Sequence, residues 1–122
     1  MSRLFAKWYD FFMNPLERKK FKRIRNELIS KAEGNVLEIG AGTGINFPFY
    51  KGVEKVTAIE PSTHMIERSL SKMKQTVIPI DMVQASAEEL PFADNTFDTV
   101  VATLVFCTIP NPEKALLEMQ RV

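Results

Sequence analysis

The chain has 122 residues, 45% hydrophobic and 25% charged, with a formal net charge of +1, a composition that fits a globular domain and excludes a disordered segment. One cysteine, Cys107, and one histidine, His64, exclude a disulfide-built scaffold and a structural zinc site; they predict a cytoplasmic, reducing setting and no metal. No apolar run approaches the roughly 20 residues of a membrane-spanning helix, and the N-terminus does not read as a signal peptide.

The charge is unevenly spread. Residues 1–31 hold nine Lys/Arg against three acids, and residues 32–122 hold seven against twelve. The basic head is also aromatic, with Leu4, Phe5, Trp8, Tyr9, Phe11, Phe12 and Met13 close together. Asn14-Pro15-Leu16-Glu17 then predicts a helix start, with Asn as cap, Pro at the first helical position and Glu reaching back to the cap. This helix should run from Pro15 to about Lys31, with Gly34 beyond its end. Leu16, Phe21, Ile24 and Leu28 form one apolar stripe, and Arg18, Lys19, Lys22, Arg23 and Arg25 spread over the remaining surface. Such a head suits a lid over a site, or peripheral contact with anionic lipid through residues 1–25. Nucleic acid is not the expected partner.

From Asn35 the pattern changes. Val36–Ile39 is a short apolar run ending in glycines, as a buried parallel strand would read. Lys55–Ile59 predicts a second strand, and Pro61-Ser62-Thr63 opens a helix through Met65, Ile66 and Leu70. A third strand falls within Val77–Val83, with Pro79 near its start, and a fourth spans Thr99–Leu104. Asn111-Pro112-Glu113 repeats the Asn–Pro cap and starts a helix carrying Ala115, Leu116, Met119 and Val122. Strands alternating with helices predict a doubly wound α/β sheet with helices on both faces. Residues 1–34 read as a helical head, and 35–122 as part of a ligand-binding domain.

Gly40, Gly42 and Gly44 occupy alternate positions of the turn after the first strand. Glycines there permit positive φ and close approach of a ligand to the main chain at the carboxyl end of the sheet. A dinucleotide fingerprint would place its third glycine one residue later, where Ile45 stands, and no Gly-Lys-Ser/Thr follows for a P-loop. Glu38, just before the turn, would sit badly against a pyrophosphate; it suits a cation such as the amino group of a methionyl moiety. Glu60 ends the second strand, 20 residues after Gly40, where an acid accepts both ribose hydroxyls. Strand, glycine turn and ribose acid together predict a nucleoside site. His64 reads as a surface histidine, Cys107 as a packing thiol, Asp98 as a loop or turn residue and Asp94-Asn95 as a turn.

At these residues the chain resembles the class I S-adenosylmethionine-dependent methyltransferases, with Glu38-Ile39-Gly40-Ala41-Gly42-Thr43-Gly44 as the family's E-x-G-x-G-x-G loop. Ser86-Ala87-Glu88-Glu89-Leu90-Pro91-Phe92 is similar to the family's Asp-Ala-Glu-x-Leu-Pro-Phe loop, with Ser86 in place of the Asp that meets adenine. The segments Tyr9-Asp10, Pro15-Leu16-Glu17, Gly44-Ile45-Asn46-Phe47 and Thr103–Cys107 look like a subgroup that includes phosphatidylethanolamine and thiol methyltransferases. The resemblance implies S-adenosylmethionine as cofactor and a small or lipid-like acceptor. It implies a cofactor site of Glu38, Gly40, Ala41, Gly42, Gly44, Asn46, Glu60, Pro61, Met65, Ser86, Ala87 and Thr103. No carboxylate–histidine pair is legible, so no catalytic residue is assigned. It also implies a Rossmann-like sheet that here stops after strand four and its helix, with self-association through that strand. A non-catalytic nucleoside-binding fragment and an NAD-dependent oxidoreductase are the alternatives.

Overall fold

The structure, a computed structural model, describes residues 15–42, 44–102 and 109–122, with side chains in the first helix from residue 22 onward. Helix α1 (Pro15–Ile29) leads into strand β1 (Gly34–Ile39), a short 3-10 turn (Phe47–Phe49) and β2 (Val53–Ile59). Helix α2 (Thr63–Gln75), β3 (Ile80–Val83), β4 (Thr99–Ala102) and α3 (Pro112–Arg121) follow. The four strands pair in parallel in the order β3-β2-β1-β4. Strand order therefore reverses between β1 and β4, and the crevice at their carboxyl ends is where such sheets bind ligands.

The sheet is covered on both faces. Val36, Val56, Ala58 and Val101 pack on one side with Ile29 at the end of α1 and Ala32 just beyond it, with Phe47 and Tyr50, and with Met73 of α2. Leu37, Ile39 and Ile59 pack on the other with Ala115 and Met119 of α3 and with Leu90 and Phe92. This arrangement bears out the expected doubly wound α/β sheet. β1 is its centre: Val36, Leu37, Glu38 and Ile39 are all buried, so a carboxylate lies within an otherwise apolar strand.

The expected Asn111 cap of α3 forms, and Ser62 caps α2. Ser62 Oγ accepts from the Met65 N–H at 3.3 Å, and Asn111 Oδ1 accepts from the Lys114 N–H at 3.2 Å. The Asn14 cap and the residues before it lie outside the described residues.

Two expectations are corrected. α1 ends at Ile29 rather than Lys31, because the Lys31 and Ala32 N–H groups turn back to the carbonyls of Leu28 and Ile29, a tighter closing turn. Its inward face is also rotated: Leu28 is 43% exposed, whereas Arg25 is only 3% exposed. Arg25 has an electrostatic partner at Glu38 on the sheet, which offsets burial of its charge. β3 runs from Ile80 to Val83, within the expected Val77–Val83 and just after Pro79, and Val77 outside it is 99% exposed. Pro79 has no N–H for the ladder, though its carbonyl accepts from Val56 at 3.0 Å.

Candidate functional site

Strand ends bring the site together. Beyond β1 the Ala41 N–H donates to the Ile59 carbonyl at 3.0 Å, and beyond β2 the Glu60 N–H donates to the Val83 carbonyl at 3.2 Å. The ladder thus continues one step past the strands and lays the glycine turn beside Glu60. Gly40, Gly42 and Gly44 all have positive φ, at 65°, 58° and 79°. Two of them serve different ends. A Cβ on Gly44 would lie 2.7 Å from the Phe47 ring and 3.3 Å from Ser69 Cβ, so packing under the turn excludes it. A Cβ on Gly42 would meet nothing within 4 Å, so the protein leaves the turn's main chain bare on that side.

Glu60 is 8% exposed and held at both oxygens. Oε1 accepts from the Gly42 N–H at 2.9 Å and Oε2 from the Ser62 N–H at 3.0 Å. A carboxylate has about four acceptor positions, so this fixed group still has one per oxygen for a pair of neighbouring hydroxyls. Pro61 is exposed, and its carbonyl accepts from Gln84 Nε2 at 2.9 Å. The same Gln84 nitrogen donates to Thr63 Oγ1 at 2.9 Å, tying the start of α2 to the end of β3. Sequence reasoning missed Gln84, a single amide with no motif around it. Met65 is exposed in the first turn of α2, with His64 beside it, also exposed. Ser86 is exposed at the far side, where its Oγ accepts from the Glu88 N–H at 3.3 Å, and Ala87 packs inward near Leu90. Thr103 and Cys107 lie outside the described residues.

Glu38 behaves differently from Glu60. It is 1% exposed, and the Tyr50 hydroxyl donates to its Oε1 at 2.6 Å. The Asn46 side chain also hydrogen-bonds it, and the Arg25 guanidinium attracts its charge. Burial outweighs these and raises the carboxyl to about 7 from its usual value near 4.5. Burial, with Glu38 nearby, pushes the Tyr50 hydroxyl well up; burial also lowers Arg25 to about 10, against the opposing pull of the Glu38 carboxylate. Among the described residues no hydrogen-bond partner meets Glu38 Oε2. Asn46 is 2% exposed; the structure places it in this buried network rather than on an open surface of the turn.

Outside the site, two acids have architectural partners. Asp98 Oδ2 accepts from the Asn35 N–H, and the Asp98 N–H donates to the Asn35 carbonyl, each at 2.8 Å, which ties β4 to the start of β1. Asp94 pairs with Arg121 at 2.8 Å, and Arg121 also donates to the Leu90 and Phe92 carbonyls and bridges to Glu118. This clamp fixes the Leu90-Pro91-Phe92 loop against α3, and only the fold reveals it. Among the described residues no cluster of three or more His, Cys, Asp or Glu could hold a metal ion, and no helix is long and apolar enough to cross a membrane.

Residues 37–122 match a family described as a methyltransferase domain. The whole chain aligns with a phosphatidylethanolamine N-methyltransferase of Cereibacter sphaeroides at 36% identity, over 62% of that protein. It is 33% identical to thiol S-methyltransferase TMT1B of Mus musculus, over 94% of this chain and 53% of that one. A SAM-dependent methyltransferase structure from Aquifex aeolicus superposes with a TM-score of 0.62 at 27% identity, over 72% of this chain and half of that one. The chain thus spans between half and two thirds of the length of these two relatives.

Proposed function

The chain belongs to the methyltransferase-domain family, whose methyl donor is S-adenosylmethionine, and from that membership we propose that its glycine turn holds this donor for transfer to a small lipid-like or thiol acceptor. The observation that carries the reading is the Glu60 carboxylate, fixed by Gly42 and Ser62 with capacity left for a ribose diol. The residues present fit the donor in three further respects. Gly42 leaves the main chain open to a ligand, Met65 in the first turn of α2 and Ser86 on the loop after β3 stand exposed, and Glu38 Oε2 lacks a hydrogen-bond partner that an amino group would supply.

When bound, the donor supplies a methyl group on a positively charged sulfur, ready for in-line displacement. The chain's own contribution would be placement: Glu60 would hold the sugar, and the glycine turn would lie against the donor.

The relatives named above suggest a lipid amine or a small apolar thiol as acceptor. Residues 1–34 would dock on the cytoplasmic face of an anionic membrane, through the basic and aromatic residues before position 25, while 35–122 hold the cofactor. With labelled donor, the intact protein should methylate phosphatidylethanolamine vesicles or an apolar thiol. It should also sediment with anionic vesicles at low salt and release as salt rises. Deleting residues 1–13 should abolish sedimentation. Transfer to neither acceptor would contradict the substrate reading, and equal sedimentation of the two forms would contradict the membrane reading.

A further inference from the structure

α1 reaches the sheet at a place where a purely structural helix would need only apolar side chains. Ile29, with Ala32 just past the helix end, supplies those. Arg25, one turn earlier on the helix, is buried as well and faces a carboxylate on the central strand. A buried charge is retained at a cost unless its partner geometry compensates, so the pairing of Arg25 with Glu38 calls for a reason beyond packing. Tyr50 adds a second hold on the same carboxylate, through a 2.6 Å bond to Oε1. Oε2 is left as the buried oxygen with no partner among the described residues.

We propose that Arg25 and Tyr50 are positioning residues of the donor site, which hold Glu38 as the charged acceptor for the donor's amino group and so make α1 part of that site. This rests on the donor reading above and adds two residues to it. The groups that face Glu38 are Arg25 from α1, with Tyr50 and Asn46 from the segment after the glycine turn. Arg25 attracts the ionised form, and Tyr50 and Asn46 donate hydrogen bonds to it, so all three favour the charge that burial opposes. With its midpoint at about 7, Glu38 is largely protonated below neutrality and ionised above. Donor affinity should therefore rise as pH climbs through neutrality, then fall as the donor's own amino group loses its proton near about 8.

The test uses the intact protein with carbon-13-labelled glutamate. The Glu38 carboxyl is followed by NMR across pH 5–9, and S-adenosylmethionine is titrated at each pH. Arg25→Gln and Tyr50→Phe should each move the Glu38 midpoint upward by about one pH unit, which weakens donor binding about tenfold near pH 6.5. Both should regain most of the affinity at pH 8. Arg25→Lys, which keeps the charge, should restore the midpoint, and a thermal melt confirms that each variant is folded. A midpoint unmoved in both folded variants, in a protein that binds the donor, would overturn the proposal. Movement of the midpoint in a protein that binds no donor at any pH would overturn the donor reading instead, and would leave the charge network standing.

Discussion

Gly42→Ala and Gly44→Ala should fail in opposite ways. At Gly44 the backbone has φ of 79°, and a methyl group would lie 2.7 Å from the Phe47 ring, itself fully buried. The conformational cost of a side chain in that region is about 1–2 kcal/mol, and forcing an extra carbon into a packed core adds about 1–3 kcal/mol. A domain stable by about 5–15 kcal/mol would be markedly destabilised. Gly42 has φ of 58°, with nothing within 4 Å of an added Cβ. Gly42→Ala bears the conformational cost alone and should fold, yet its methyl group would occupy the space where the donor meets the main chain. A denaturant melt with a donor titration separates the two. Expected are a large loss of stability for Gly44→Ala, and near-normal folding with at least tenfold weaker binding for Gly42→Ala. Equal stability losses, or full binding by Gly42→Ala, would contradict the division of roles.

Glu60→Ala should give the largest loss of donor affinity among side-chain changes. The carboxylate is pre-set by two backbone donors, at 2.9 Å and 3.0 Å, so a sugar that binds it need not order it. Each charge-assisted hydrogen bond is worth about 1.5–3 kcal/mol, and losing even one lowers affinity at least tenfold. Losing both lowers it by more than about a hundredfold. The substitution also strips an acceptor from the Gly42 and Ser62 N–H groups, so the melt should drop as well. Glu60→Gln separates the effects: it preserves volume, but its amide nitrogen would meet one of those N–H groups. Unchanged affinity in folded Glu60→Ala would remove Glu60 from the site.

Much of the site is legible in the chain because its parts are local. Three glycines after an apolar run, and an acid at the end of the next strand, define the turn and its carboxylate before any contact is known. Ser62 and Asn111 likewise announce the starts of α2 and α3 through bonds that reach only three residues on. Arg25 was not legible. Helical spacing groups Ile24 with Leu28, and also Arg25 with Ile29, faces about one residue step apart; polarity favours the first, and the sheet selects the second. The deciding partner, Glu38, lies on another element, and a strand pattern does not show which helix residue will cover it. Tyr50 was missed for the same reason, since its place opposite Glu38 depends on how the Phe47–Phe49 turn folds back. Arg121 joins Asp94, 27 residues earlier, across a loop whose path periodicity does not encode.

Calorimetric titration of the intact protein with S-adenosylmethionine and with NAD, side by side at pH 7.5, decides between a methyl donor and a dinucleotide most directly. The Gly40–Gly42–Gly44 spacing, the buried acid before it and the diol acceptor after it predict saturable binding of S-adenosylmethionine at least about tenfold tighter than NAD, a difference of about 1.4 kcal/mol or more. Binding of NAD as tight as or tighter than S-adenosylmethionine would contradict it.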